Sequence, residues 1–354
     1  MSAPPTPPLF TIPPPASAHQ DPSVWPLRVV YLADVLSGAA ILLVAFGPSA
    51  AEVPTLTGAA VIGFGLFGAV CGWLLSRISD FGTVAPSARW LALCWGAFAA
   101  IGYPLLANRA IRDHFAARGD GESWSLLTPF TEEPAKLLGI VVVLLLAATR
   151  PRSALDGLVV GSFVGLGFEV VENIARSINN AITSYPPGQR DNLGSLTVDL
   201  LHEVVRGSWS GHIVITGIAG FGVGYAMTAG DRSGVRRWAV AVPLVTLAVA
   251  GHLLWNSHRF GAFYVLGQVG LFVFFLWLIR VGRRREAEIY LPYLGYVTPS
   301  VIEAGNRRSR TRRRVTSELA AAIGTGDAQR AHRCIQRLVR DGSGQIQPRR
   351  VKPM

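Results

Sequence analysis

Eight apolar stretches constrain this chain more than any other feature. They run over 29–46, 56–75, 90–107, 125–148, 155–177, 205–227, 238–255 and 262–279. Each is close to the ~20 residues a helix needs to cross a bilayer core. Lipid offers the backbone no hydrogen-bond partners, so each stretch must close its own bonds as a helix. The expected fold class is therefore all-α, a polytopic membrane helical bundle of about eight transmembrane helices. Composition agrees: half of the residues are apolar and only 16% are charged, against ~25% in soluble domains. Gly157, Gly161 and Gly165 recur every four residues. That spacing predicts a small-residue face on the fifth span where another backbone can approach closely.

The ends differ from the middle. Residues 1–26 are rich in proline (Pro4, Pro5, Pro7, Pro8, Pro13, Pro14, Pro15) and lack the basic start of a signal peptide. They read as a disordered or polyproline-like arm. Net charge is +11 over the whole chain; from Val281 onward sixteen basic and six acidic residues contribute +10 of it. The expected division is an arm over 1–26, a transmembrane bundle over 27–282 and a basic tail over 283–354. In the tail, 315–323 and 327–339 have the pattern of short amphipathic helices. A basic run at 306–314 suits the anionic inner leaflet, where each basic residue contributes about 1 kcal/mol. Nucleic acid is not an expected partner, because no aromatic residues are interleaved with that run. Arginines concentrate in the short loops after spans two, four and six and after span eight. The loop after span three breaks that trend with Arg109, Arg112 and Arg118. On balance the expectation is a multi-pass protein of the cell membrane with both termini cytoplasmic. Cys71, Cys94 and Cys334 form no metal-binding or redox spacing. The Ala/Arg/Gly/Val bias fits a bacterial source.

Polar groups inside the spans carry the chemistry. Glu132, Glu133 and Lys136 open the fourth span, with Lys136 one helical turn from both carboxylates. Glu172 and Arg176 are one turn apart on the fifth. Arg206 and His212 lie on the sixth, and His252 and Asn256 share a face of the seventh. A charge at mid-bilayer costs at least about 2.5–3.5 kcal/mol, so such groups need partners or a task. If spans four to seven zigzag across the membrane, all four clusters fall near one face, the extracytoplasmic one by the arginine rule. Carboxylates, imidazoles and an amide at one depth suit metal binding or activation of water. Each pair can instead be a buried structural ion pair. Glu169, one turn before Glu172, reads as structural; His202 and Glu203, ahead of span six, are expected in water.

The ordered set Glu132-Glu133-x-x-Lys136, Phe168-x-x-x-Glu172-Asn173, Arg206 with His212, and His252-x-x-x-Asn256 resembles the PrsW family of intramembrane proteases. It is more distantly similar to the CAAX prenyl endopeptidases and their bacterial relatives. The resemblance covers about 125–257. It implies an endopeptidase acting on a membrane-associated protein, with anti-sigma factors one associated substrate class. Two mechanisms stay open. Glu172, His212 and His252 can be zinc ligands with Glu133 as general base. Alternatively Glu133 and His212 activate water directly, with His252 and Asn256 stabilising the oxyanion and Lys136 or Arg206 keeping a carboxylate ionised. The absence of a His-Glu-x-x-His motif favours the second. A proton- or cation-coupled transporter is the main rival, although such a path needs polar groups at both depths, and 140–148 is wholly apolar. A bis-histidine haem site at His212 and His252 is another.

Overall fold

The computed structural model describes residues 24–79, 84–118, 123–146, 153–207, 211–229, 232–257 and 262–294. The chain divides into two units. One is Val24–Ile78 with Val84–Gly282; the other is Met1–Ser23, Ser79–Thr83 and Arg283–Met354. Within the second, the Ser79 hydroxyl donates to the Glu286 carboxylate at 3.0 Å. The expected tail helices and most of the proline-rich arm lie outside the described residues, while Trp25 and Pro26 already belong to the first helix.

Among the described residues there is no strand. The helices are α1 (Trp25–Glu52), α2 (Pro54–Leu75), α3 (Pro86–Ala116), α4 (Pro129–Leu146), α5 (Ala154–Ser184), α6 (Leu193–His202), α7 (His212–Thr228), α8 (Gly234–Asn256) and α9 (Ala262–Leu294). Six of these helices are long and apolar enough to cross a membrane: α1, α2, α3, α5, α8 and Phe263–Glu286 of α9. The shorter apolar α7 and the charged α4 occupy the other two expected spans. The chain is thus a helical, multi-pass membrane bundle.

Helix starts follow local chemistry. Pro26, Pro54 and Pro86 stand in the first turns of α1, α2 and α3, where no amide hydrogen is needed. Ser153 and Asp156 form a capping box at the start of α5, which accounts for the one charge at that end. The start of α2 is capped from a distant loop: Asp191 accepts from the Leu56 amide at 2.6 Å and the Thr55 amide at 3.1 Å. Those bonds hold the Asp191 carboxyl below the usual carboxylate range.

The long helix α5 is the hub: 89% of its apolar stretch is buried, against 17% for α1 and 28% for α8. It meets α7 along the glycine row expected from the sequence. A Cβ on Gly157 would lie 2.2 Å from the Gly220 carbonyl oxygen, and one on Gly161 would lie 2.4 Å from that of Thr216. Only glycine permits this approach.

Two features depart from the sequence reading. The sixth span is not one continuous helix from 205. A π turn covers Glu203–Gly207, and α7 begins only at His212. Gly211 is extended there, and a Cβ on it would meet the Glu169 carboxylate at 2.0 Å. The second is α6, which apolar run length could not reveal. It packs Leu196 into a cluster with Leu56, Phe64 and Ile178, while its Asp199 accepts from Ser177 at 2.7 Å. This packing carries Glu203 inward. That residue is buried, not solvated as expected, whereas His202 is exposed.

Candidate active site

Helix α4 brings three charged side chains into the interior. Lys136 is 0% exposed, Glu133 1% and Glu132 7%. The helix can seat there because Gly139 clears the indole of Trp95, where a Cβ would come within 2.1 Å of the ring. Trp95 opens the π turn of α3, and its indole nitrogen donates to the Ala135 carbonyl at 3.0 Å.

The cluster is built around two histidines. His212 stands at the first position of α7, and His252 is one turn before the end of α8. Their ring centroids lie 4.7 Å apart in an edge-on arrangement. That spacing leaves no room for a porphyrin between them, so the bis-histidine haem arrangement does not fit. Glu172 of α5 meets His212 Nε2 at 3.0 Å and is itself paired with Arg176 at 3.0 Å. Glu133 meets His252 Nδ1 at 2.8 Å. Each imidazole therefore has one nitrogen held by a carboxylate and the other turned to the cluster.

Lys136 closes the group. Its Nζ lies 2.8 Å from Glu133 Oε1, 3.5 Å from Glu132 Oε2 and 3.0 Å from His212 Nδ1, over the Phe168 ring at 3.6 Å from its centroid. Lysine can only donate, so His212 Nδ1 accepts and its proton sits on Nε2, facing Glu172. Glu132 is positioned by Asn108 of α3, whose amide donates to Oε1 at 3.0 Å. In turn Asn108 accepts from Thr131 at 2.6 Å. Glu132 Oε2 and Glu133 Oε2 are buried and have no hydrogen-bond partner among the described residues.

The donor set fits a divalent metal ion. One donor atom from each of Glu132, His212 and His252 lies within 4.8 Å of the other two, all three residues buried. Two imidazoles and a carboxylate form a common catalytic zinc set that leaves a position open. Carboxylates behind both imidazoles are the usual outer support of such a site. The grouping differs from the sequence reading in one respect: Glu132, not Glu172, completes the trio. Glu172 is instead committed to the far nitrogen of His212 and to Arg176.

Of the expected site residues, Glu132, Glu133, Lys136, Glu172, His212 and His252 come together. Asn256 does not join them. Its amide nitrogen donates to the Ser125 carbonyl at 2.7 Å and the Thr128 hydroxyl at 3.1 Å, tying the end of α8 to the segment before α4. Arg206 lies in the π turn, and its side chain is outside the described residues. Glu169 accepts from the Ile213 amide at 3.1 Å, at the first turn of α7. Asn108 was missed, since a lone asparagine before Arg109 carries no motif.

The apolar remainder of α4, with Ile140, Val142, Val143 and Leu144 buried, continues away from the cluster without further charge. The charges of α4 thus all lie in its first half, and its second half offers no polar group to a path across the membrane.

A family model described as PrsW family intramembrane metalloprotease matches residues 85–281, more than half of the 354-residue chain. The match includes every residue of the cluster and leaves out α1, α2 and the tail. No curated protein and no solved structure matches the chain.

Proposed function

The chain belongs to the PrsW family of intramembrane metalloproteases, and from that premise we propose that it cleaves a membrane-spanning protein at the Glu132–Glu133–His212–His252 cluster. It is a membrane protease. The observation that carries this reading is the convergence of three buried donor groups from α4, α7 and α8, Glu132, His212 and His252, with Glu172 behind one imidazole and Glu133 behind the other.

Glu132, His212 and His252 hold the metal, which we take to be zinc. When bound, such an ion polarises a scissile carbonyl and acidifies a water. Glu133 is the general base. Its Oε1 is pinned by Lys136 and His252, and to its Oε2, which has no hydrogen bond among the described residues, we assign the task of taking the water's proton. The same carboxyl then returns that proton to the leaving amide nitrogen. Lys136 offsets the Glu133 charge in a site where an uncompensated buried carboxylate would be costly. Glu172 and Arg176 keep the Nδ1 lone pair of His212 turned inward. Asn108 does the same for the free oxygen of Glu132.

The substrate is proposed to be a single-pass membrane protein, an anti-sigma factor being one candidate class, cut near the extracytoplasmic face. The basic tail would rest on the inner leaflet. The test is cleavage of a panel of single-pass substrates in reconstituted membranes, with wild type, Glu133→Gln and His212→Ala, each with and without chelator. Wild type should cut, chelation should stop it, zinc should restore it, and both variants should fall by at least about 100-fold. Folded variants that cut as fast as wild type would remove the site assignment. Indifference to chelator would return the chemistry to water activated by protein groups alone.

A further inference from the structure

The arrangement around Lys136 contains a conflict. His212 Nδ1 has one lone pair, and it already accepts from the Lys136 ammonium at 3.0 Å. The other nitrogen of that ring is engaged with Glu172 at 3.0 Å, so Nδ1 is the only atom His212 can offer a metal. Glu132 Oε2, buried and without a hydrogen bond among the described residues, is likewise 3.5 Å from the same ammonium. Two of the three groups able to hold a metal ion are therefore facing a protein cation.

We propose that Lys136 is a competing cation for the metal site: its ammonium must leave the His212 lone pair before a metal ion can bind, so Lys136 sets the metal affinity. This inference rests on the metal reading above and adds regulation of that same site. Two effects act together. The lone pair serves either the N–H donor or the ion, never both. The ammonium also adds a like charge within a few ångströms of the ion, in an interior where such repulsion is poorly screened. Glu132, Glu133 and Lys136 sum to −1 when ionised; without the lysine they sum to −2, a better match for a divalent cation. The face of Phe168, 3.6 Å from Nζ, holds the ammonium in its competing position. Glu133, the other strong partner at 2.8 Å, is where the displaced ammonium can stay.

The test is zinc affinity, measured on the purified full-length protein by competition with a chromophoric chelator. Lys136→Met should bind zinc at least tenfold more tightly than wild type. Phe168→Leu, which loosens the ammonium but keeps an apolar side chain of similar bulk, should bind a few-fold more tightly. His212→Ala should lose the site. Equal or weaker binding by folded Lys136→Met and Phe168→Leu, with wild type still binding, overturns the inference and leaves the metal site standing. If wild type and both variants are folded and none binds zinc, the metal reading falls and takes this inference with it. Thermal unfolding covers a Lys136→Met protein that does not fold in chelator. Recovery of a cooperative transition on adding zinc supports the competition, because the ion then supplies the missing positive charge. Failure to fold even with zinc makes Lys136 a structural cation and overturns it.

Discussion

The two histidines are held in different ways. His212 is set by backbone against backbone. A Cβ on Gly165 of α5 would lie 2.3 Å from the His212 carbonyl oxygen, and the glycine contacts continue one and two turns along both helices. The Glu169 carboxylate also grips the next amide, that of Ile213, at 3.1 Å. His252 is set by side chains. Its neighbour Gly251 faces the Leu271 methyl, and the end of α8 is tied through Asn256. Helix α8 has 28% of its apolar stretch buried, whereas α5 has 89%. One imidazole thus sits on a part of the molecule with no slack, and the other on a helix that can shift by small side-chain adjustments. A site that must admit a polypeptide gains from that asymmetry: a fixed wall on α5 and α7, and a compliant one on α8.

Gly165→Ala tests the fixed wall and should have the largest effect. The new methyl meets a backbone oxygen that cannot rotate away, so α5 and α7 must separate by several tenths of an ångström. Overpacking of this kind costs typically about 1–3 kcal/mol. Displacement of His212 by as much as 1 Å would lower cleavage by about 100-fold. Cleavage rate and thermal stability should fall together. A Gly165→Ala protein with normal activity would mean that the α5–α7 contact does not position the histidine.

Asn256→Ala probes the tie at the end of α8 and also decides between two roles. As a tie, it loses two hydrogen bonds at a net cost of about 1–2 kcal/mol, with a fall in unfolding temperature and a roughly tenfold loss of cleavage. As an oxyanion donor, which the sequence spacing allows, it would cost about 100- to 1,000-fold in turnover with little change in stability. The bonds to Ser125 and Thr128 favour the first outcome.

The sequence was legible where chemistry is periodic or costly. Long apolar runs placed the spans, and buried charges, being expensive, marked Glu132, Glu133, Lys136, Glu172, His212 and His252, which lie together, although Asn256 does not join them. The row at 157, 161 and 165 foretold a close backbone approach on α5, though not that α7 would make it. What could not be read depends on tertiary direction. Glu132 and Glu133 are neighbours in sequence but point about 100° apart on a helix, so spacing could not say which one joins the two histidines. Glu172 and Glu132 are equally plausible ligands by type, and only the Glu172–Arg176–His212 chain of contacts separates them. Glu203 looked solvated because α6, ten residues long, is too short to show as a span. Asn108 had no signal at all until α3 and α4 were side by side.

Gly251→Ala completes the comparison and should be the mildest change. Its Cβ would meet the Leu271 Cδ1 atom at 2.8 Å, the far end of a side chain that can change rotamer. The next atoms, on Ile215 and Leu271, are 3.7 Å away, an ordinary contact. Cleavage should stay within about threefold of wild type and the loss of stability within about 1 kcal/mol. The informative quantity is the ratio of the Gly165→Ala and Gly251→Ala effects on cleavage, measured on the same substrate. A ratio near 30 supports a fixed wall facing a compliant one. A ratio near one would place His252 under the same constraint as His212, and the flexibility needed to admit substrate would then have to come from α4 and the Asn108 contact instead.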